Sequence, residues 1–134
     1  MDKQEYYLGI ASAVAAKSTC LKKHYGAVIV KNNEIIATGY NGPPRGEKHC
    51  AECTKSGCGK DMEEYMTCPA VHAEMNAIIS AARRDMIDSD LYLSGIDAVS
   101  QKEIDPKPCK ICERLIKNAG IARVITRKDI KNED

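Results

Sequence analysis

The sequence predicts an α/β sandwich with a sheet that is parallel at least in part. The hydrophobic pattern gives the element order α-β-β-α-β-α-β. Strands that alternate with helices are typical of α/β folds, because a helical crossover lets the next strand pair in parallel. The chain has 134 residues and no repeat or low-complexity linker, so we expect residues 1–134 to form one domain.

The chain begins with a predicted helix and a predicted hairpin. Residues 4–19 place an apolar stripe at helical spacing, made of Tyr7, Ile10, Ala11, Val14 and Ala15. Residues 26–30 and 35–40 are β-rich runs that flank the pair Asn32 and Asn33. Two such runs joined by an Asn-Asn pair predict a tight β-hairpin.

The middle of the chain combines a long loop with a second helix. Residues 41–71 are rich in Gly, Pro and Cys, and we expect an ordered loop with a helical turn near 61–66. A loop of this length is usually functional or held by something. Residues 72–84 predict a helix whose apolar stripe is Met75, Ile78, Ile79 and Ala82.

The last part of the chain supplies two strands and one helix. Residues 91–94 predict a short strand, and residues 95–107 form a polar excursion. Residues 109–119 predict a helix that Gly120 ends as a C-cap, and residues 122–126 predict the last strand.

Charge and composition argue against a nucleic-acid or membrane protein. Lys and Arg number 20 and Asp and Glu 19, which gives a formal charge of +1 and no strongly basic surface for a polyanion. Phe and Trp, which stack on single-stranded bases, are absent. No apolar run approaches the ~18 residues that cross a bilayer. The polar N-terminus does not read as a secretion signal, so we expect a cytoplasmic protein with no nucleic-acid or membrane partner.

The chain has seven cysteines, which is unusual for a cytoplasmic protein. Because disulfides are rare in that compartment, this many thiols indicate metal binding or chemistry.

His72, Glu74, Cys109 and Cys112 form the first candidate cluster. The two cysteines are three residues apart at a predicted helix start, where both sulfurs face one side and the helix end favours thiolates. One imidazole and two thiolates leave a fourth tetrahedral position open, as in catalytic zinc sites. Glu74 can lie over that position as a proton shuttle. A lone CxxC is common in redox and structural zinc sites, so the prediction depends on both motifs together.

The other five cysteines form the second candidate cluster: Cys20, Cys50, Cys53, Cys58 and Cys68. Four of them lie in the polar loop, which offers little apolar sequence to bury them as small hydrophobic residues. A structural zinc held by four thiolates would explain both the thiols and an ordered loop. Spacing leaves open which four bind, and His49 is a further candidate.

Four segments together resemble the deoxycytidylate deaminase family of the cytidine-deaminase-like zinc superfamily. They are GYNGPPRG (39–46), HCAECTKSGC (49–58), CPAVHAEMNAI (68–78) and PCKIC (108–112). The pairing of H-x-E with P-C-x-x-C is the signature of zinc deaminases, and GYNG is the most family-specific segment. The resemblance covers roughly residues 6–126 and implies a three-layer α/β/α sandwich with a mixed five-stranded sheet. It also implies a homo-oligomer, such as a dimer or hexamer.

The resemblance implies hydrolytic deamination of the nucleotide dCMP to dUMP and ammonia, in pyrimidine deoxynucleotide metabolism. His72, Cys109 and Cys112 match the ligands of the catalytic zinc, and Glu74 matches the residue that moves the protons.

The resemblance also implies substrate contacts and a second metal. Asn41 matches a residue that contacts the sugar, and the Ala73 N–H matches a donor to the pyrimidine carbonyl. The family pattern for a structural zinc matches four cysteines and leaves Cys53 spare: Cys20, Cys50, Cys58 and Cys68.

One segment departs from the family pattern. In typical members the strand runs almost directly into P-C-x-x-C, whereas residues 95–107 intervene here as an insertion that could reshape the pocket. Arg45, Lys107 and Lys110 border the expected pocket and are candidates to bind the 5′-phosphate.

Two alternatives remain at this point. The chain could deaminate another cytosine- or purine-containing small molecule, or it could be a non-catalytic binding module stabilised by zinc. Glu74 argues against the second alternative, since a purely structural metal site has no use for an acid beside an open position.

Overall fold

The structure is a computed structural model that describes residues 1–53 and 67–131. Cys58 and the predicted helical turn near 61–66 lie outside the described residues. The elements in chain order are α1 (Lys3–Ala15), β1 (Lys23–Lys31), β2 (Glu34–Tyr40), α2 (Ala73–Ile79), α3 (Arg83–Met86), β3 (Asp90–Asp97), β4 (Glu103–Ile104), α4 (Lys110–Ala119), β5 (Arg123–Ile125) and α5 (Arg127–Lys131).

The sheet is mixed and has five strands. β1 lies between β2 and β3 and is antiparallel to both. On the other edge of β3, β4 pairs antiparallel with Gly95 and Ile96, whereas β5 pairs in parallel with residues 90–92. The chain between the parallel pair β3 and β5 contains α4. The predicted sheet, parallel in part, is therefore confirmed.

Alternate side chains of the central strands bury against helices on opposite faces of the sheet. Ala27 and Ile29 of β1 belong to the core that includes residues of α2 and α4, whereas Val28 and Val30 belong to the core beneath α1. Burial on both faces explains why these strands are continuous apolar runs in the sequence. The arrangement of helices on both sides of one sheet confirms the three-layer α/β/α sandwich.

Two glycines permit helices to lie directly on the sheet. A Cβ at Gly39 of β2 would overlap the carbonyl oxygen of Ala73 and the amide nitrogen of Ala77 in α2. A Cβ at Gly26 of β1 would overlap the Ala11 carbonyl of α1 in the same way. Gly39 therefore sets how closely the start of α2 approaches the sheet.

The hairpin prediction is confirmed, but two helices differ from expectation. Asn32 and Asn33 adopt φ of 52° and 63°, as a two-residue hairpin turn requires. α1 ends at Ala15 rather than at residue 19.

The single helix predicted over 72–84 is wrong, because α2 ends at Ile79 and α3 follows separately. Its predicted apolar stripe is confirmed only in part, since Ile78 packs against the core, whereas Ile79 is 76% exposed and the fully buried apolar residues are Ala73 and Ala77. The close approach of the helix backbone to Gly39 explains why the residues there are the small Ala73 and Ala77.

Residues 95–107 are more regular than the predicted excursion. β3 extends to Asp97, and β4 returns along it as the second arm of a hairpin. The Asp97 carboxylate accepts hydrogen bonds from the N–H groups of Val99 and Ser100 at 3.0 and 2.9 Å. These backbone donors, first that of Ser100, lower the pKa of Asp97.

The C-terminal part agrees with expectation apart from one added helix. Gly120 ends α4 with φ of 86°, as predicted. The polar segment Arg127–Lys131 forms α5, which the hydrophobic pattern did not predict. Among the described residues, no helix combines the length and apolar character needed to cross a membrane.

Candidate active site

His72, Cys109 and Cys112 lie together where α2 and α4 begin. His72 and Cys109 are the N-cap residues of these helices, and Cys112 lies in the first turn of α4. His72 Nδ1 is 3.6 Å from Cys109 Sγ and 3.3 Å from Cys112 Sγ. Zinc bonds of ~2.0–2.3 Å at tetrahedral angles separate neighbouring donors by roughly 3.5–3.8 Å. The three donors therefore have the spacing and chemistry of zinc ligands.

The start of α4 and a bound cation would both favour thiolates at this position. The Cys112 N–H donates to Cys109 Sγ at 3.4 Å, so this sulfur caps the helix and faces its partial positive charge. Burial raises the pKa of the Cys112 thiol, and the negative charges of Glu74 and Cys109 raise it further. A divalent cation would offset both effects and stabilise the thiolate. Without a cation, these effects favour the neutral thiol of Cys112.

Glu74 lies beside these donors without being one of them. Its side chain is in the first turn of α2 and is 5% exposed. The carboxylate is close enough to raise the pKa of the Cys112 thiol, whereas the three donors grouped within 4.8 Å of one another are those of His72, Cys109 and Cys112. A buried acid next to a three-ligand site can move protons there without filling the fourth position.

The Ala73 N–H begins α2 on the same side of the molecule. As the first amide of the helix it has no intrahelical acceptor, and the Ala73 side chain is fully buried against the sheet. The amide is therefore held in place beside His72 and Glu74.

Asn41 is buried, and its side chain hydrogen-bonds to the backbone of β1. Its Oδ1 accepts from the Tyr25 N–H at 2.8 Å, and its Nδ2 donates to the Lys23 carbonyl at 2.9 Å. A carboxamide has two N–H donors and an oxygen with two lone pairs. These two bonds leave one donor and one acceptor site of the Asn41 carboxamide unused within the described residues.

Contacts that sequence reasoning missed hold residues 40–42 against the start of α2. Ser18 Oγ donates to the Asn41 carbonyl, and Asn76 Nδ2 donates to the Tyr40 carbonyl, both at 2.8 Å. Gly42 and Val71 exchange two backbone hydrogen bonds at 3.1 and 2.7 Å. Asn76 lies one turn after His72 in α2. A polar residue at this spacing does not indicate a hydrogen-bond partner 36 positions away in the sequence.

Cys50 of the second cluster is affected electrostatically by three other cysteines of that cluster. Desolvation raises the pKa of the Cys50 thiol, and the charges of Cys68, Cys20 and Cys53 raise it further. Within residues 1–53 and 67–131, however, only the first cluster has three or more donors at the spacing of a shared metal. His49 Nδ1 lies 2.7 Å from Thr19 Oγ1.

The candidate phosphate ligands are all exposed. Arg45, Lys107 and Lys110 have side chains in solvent, and none of them makes an ion pair with the described part of the chain.

Comparisons with known proteins agree with the chemistry of the site. Residues 1–128 match the family described as the cytidine and deoxycytidylate deaminase zinc-binding region. The chain belongs to this deaminase family. The family confirms an enzyme of the zinc-binding deaminase type, and the imidazole and thiolate donors fit that metal.

Two curated relatives are both deoxycytidylate deaminases. The protein of Mycobacterium phage D29 is 38% identical over 134 residues, which cover 96% of each chain. The protein of Schizosaccharomyces pombe is 37% identical over 126 residues, which cover 90% of this chain and 35% of the yeast protein. The chain thus spans almost all of the phage relative but about a third of the yeast relative.

A solved structure has the same fold. The apo dCMP deaminase of cyanophage S-TIM5 matches with a TM-score of 0.67 and 27% identity, over 95% of this chain and 85% of that one. Its complex with dCMP and dUMP matches with a TM-score of 0.62 and 25% identity, over 94% and 82%. The cytidine deaminase-like fold expected from the sequence is confirmed.

Proposed function

We propose that the chain is a zinc-dependent deaminase that hydrolyses dCMP to dUMP and ammonia in the cytoplasm. The observation that carries the proposal is the buried carboxylate of Glu74 beside three donors that leave a tetrahedral position open. The similarity to deoxycytidylate deaminases over the full length of the phage relative supports dCMP as the substrate.

His72, Cys109 and Cys112 are the residues that would hold the zinc. In such a site, zinc acts as a Lewis acid that brings the pKa of water towards ~7. Their three donors face one point from two helix N-termini, so the protein supplies a preformed, partly buried site.

Glu74 moves the protons of the reaction. It accepts the proton that water loses as oxygen bonds to C4 of the cytosine ring, and it protonates N3. It then takes the remaining proton of the oxygen now bonded to C4 and delivers it to the exocyclic nitrogen, so the C4–N bond breaks, ammonia leaves and the oxygen becomes the carbonyl of uracil. One water is consumed for each ammonia released.

Two further groups orient the ring and the sugar in this proposal. The Ala73 N–H donates to the pyrimidine carbonyl, since a helix-start amide is an available donor. The free donor and acceptor sites of Asn41 bind a sugar hydroxyl. Arg45, Lys107 and Lys110 stay candidates for the phosphate.

The test is to incubate the purified protein with dCMP, dCTP, cytidine, deoxycytidine and guanine and to measure ammonia. We expect release from dCMP alone. Ammonia release from another of these compounds would identify that compound, instead of dCMP, as the substrate. No release from any of them, by protein that contains zinc, would favour a non-catalytic module.

We also propose a second, structural zinc that cysteines of the second cluster hold. The electrostatic effects of Cys68, Cys20 and Cys53 on the Cys50 thiol support it. The family pattern takes Cys58 as the fourth ligand and leaves Cys53 spare, whereas Cys53 is among the thiols that affect Cys50.

Metal analysis of variants tests this second site. We expect two zinc ions per wild-type chain and one in Cys50→Ser. If Cys58 is the fourth ligand, Cys58→Ser will hold one zinc and Cys53→Ser will hold two. One zinc per wild-type chain would contradict the second site.

A homo-oligomer, either a dimer or a hexamer, completes the proposal. Apolar side chains exposed on α2 and α4 support it: Ile79 is 76%, Ile111 is 39% and Leu115 is 37% exposed. These helices also carry the proposed zinc ligands, so an interface there would lie near the site.

A further inference from the structure

The return arm of the hairpin leads directly to a proposed zinc ligand. β4 ends at Ile104, and residues 105–108 connect it to Cys109, the N-cap of α4. Pro106 in this connection is buried, and Pro108 is half-buried. Because prolines restrict the backbone, this short segment is stiff. A shift of β4 therefore also shifts Cys109.

Two ion pairs from α5 hold this arm. Arg127 Nε lies 3.1 Å from Glu103 Oε1, and Lys128 Nζ lies 3.7 Å from Asp105 Oδ2. The Arg127 Nε atom is buried and its N–H does not point at the oxygen, so the contact with Glu103 is an ion pair rather than a hydrogen bond. The partners Glu103 and Asp105 lie at the start of the connection to Cys109.

Arg127 is itself fixed from the other side. Its Nη2 donates to Ser12 Oγ of α1 at 3.2 Å, and Ser12 Oγ lies 2.7 Å from Ser94 Oγ of β3. The guanidinium therefore joins the hairpin arm to a helix and a strand of the main body. Lys128 has no comparable second anchor among the described hydrogen bonds.

The arm crosses a cleft rather than a packed core. A cleft of about 290 Å³ lies between Leu93, Ser94 and Gly95 of β3 on one side and Glu103, Arg127 and Lys128 on the other. β4 pairs with β3 through only two residues. Because so few of its residues pair with β3, the arm depends on its charged contacts more than a central strand would.

We propose that Arg127 is a positioning residue for the catalytic zinc: through Glu103 it holds the hairpin arm that places Cys109 opposite His72. The inference rests on the proposed zinc ligands. The proposed role of the insertion at residues 95–107 is to hold Cys109 in position for the metal rather than to contact the substrate. A metal site needs its ligands held within ~0.5 Å of the correct geometry, so a loosened arm should weaken the site.

The test measures how fast zinc leaves the protein. Zinc transfer to a chromophoric chelator is followed in the wild type and in Arg127→Met, Glu103→Gln and the double variant. The kinetic phase of zinc release that is absent from Cys109→Ser is assigned to the catalytic site. Arg123→Met is the matched control, since Arg123 pairs with Asp90 at 2.9 Å and is not part of the pairs that hold the arm.

We expect Arg127→Met and Glu103→Gln each to release this zinc about tenfold faster, in the range seen when outer contacts of metal ligands are removed. The double variant should be no faster than the single ones, because both changes break one connection. Higher salt should speed release from the wild type and not from Arg127→Met, since salt screens the ion pair. With dCMP, kcat should fall while KM stays unchanged.

Three results would overturn the inference. The first is an unchanged rate of zinc release in Arg127→Met. A lower Tm with an unchanged rate is what a purely structural role predicts. Equal acceleration in Arg123→Met would show a general loss of stability. If the wild-type protein shows no phase of zinc release that depends on Cys109, the proposed function fails and this inference fails with it. Zinc release needs no substrate, so an error in the choice of dCMP would leave the result intact.

Discussion

At the scale of single residues, the proposed chemistry depends on Glu74. It is a carboxylate at 5% exposure, in a site whose other anionic groups are thiols. Burial of a charge is costly unless the charge is compensated. A buried acid at this position fits a group that exchanges protons with a substrate beside the metal.

Glu74→Gln should keep the zinc and lose most of the activity. The amide has nearly the same shape but cannot accept and return a proton, and general acid–base groups contribute ~10²–10⁴ in rate. We expect kcat for dCMP to fall by at least this factor, measured by ammonia release, with zinc content unchanged. The control is Glu113→Gln, an exposed acid in the first turn of α4. Full activity in Glu74→Gln would remove the residue from the mechanism.

The ligand residues were predictable from the sequence, and the supports around Asn41 were not. H-x-E and C-x-x-C are local patterns whose spacing on a helix places the donors on one side, so His72, Cys109 and Cys112 could be paired without a structure. Ser18 and Asn76 act through carbonyl groups of residues 40 and 41. Any residue supplies a carbonyl, so the sequence contains no mark of such a partner.

At the scale of elements, the contact between α2 and β2 determines where the site lies above the sheet. Gly39 meets the backbone of α2 directly, and α2 carries His72 at its start. The helix pattern predicted larger residues in the interface because it counts hydrophobicity and not the space available. The short β4 escaped prediction for a related reason, since two residues cannot display an alternating pattern.

Gly39→Ala should destabilise the protein and disturb the site. The added methyl overlaps backbone atoms that cannot rotate away, and overpacking of this kind costs about 1–3 kcal/mol. We expect a lower free energy of unfolding by urea and a lower kcat.

Gly9→Ala is the matched control for this change. A Cβ at Gly9 of α1 meets nothing within 4 Å, and alanine favours a helix by roughly 0.5–1 kcal/mol. The same chemical change should therefore stabilise the protein at position 9. A stable and fully active Gly39→Ala variant would contradict the contact described for α2.

At the scale of the whole molecule, both sequence and structure give a three-layer sandwich, but its surface could not be predicted. The order of strands and helices follows from hydrophobic periodicity, and the continuous runs of β1 and β3 indicate two buried faces. Ile79 was expected in the core and is exposed instead. Exposure of a large apolar side chain on a helix beside the site is what an interface between copies of the chain would require.

Ile79→Glu should weaken self-association. A charge buried in an apolar interface is costly, so we expect a lower mass by light scattering during gel filtration, at the same protein concentration. Val99→Glu is the matched control, because Val99 is 86% exposed in the turn of the hairpin, outside α2 and α4. A wild-type protein that is monomeric throughout would contradict the proposed oligomer. An unchanged mass in Ile79→Glu would place the interface elsewhere.

The pair of backbone hydrogen bonds between Gly42 and Val71 has a consequence for how this protein could diversify. These bonds join the residue that follows Asn41 to the residue that precedes His72. The separation of Asn41 from His72 is therefore set by contacts outside the sequence between Gly42 and Val71. We expect related sequences to vary in length between these two residues without a change in that separation.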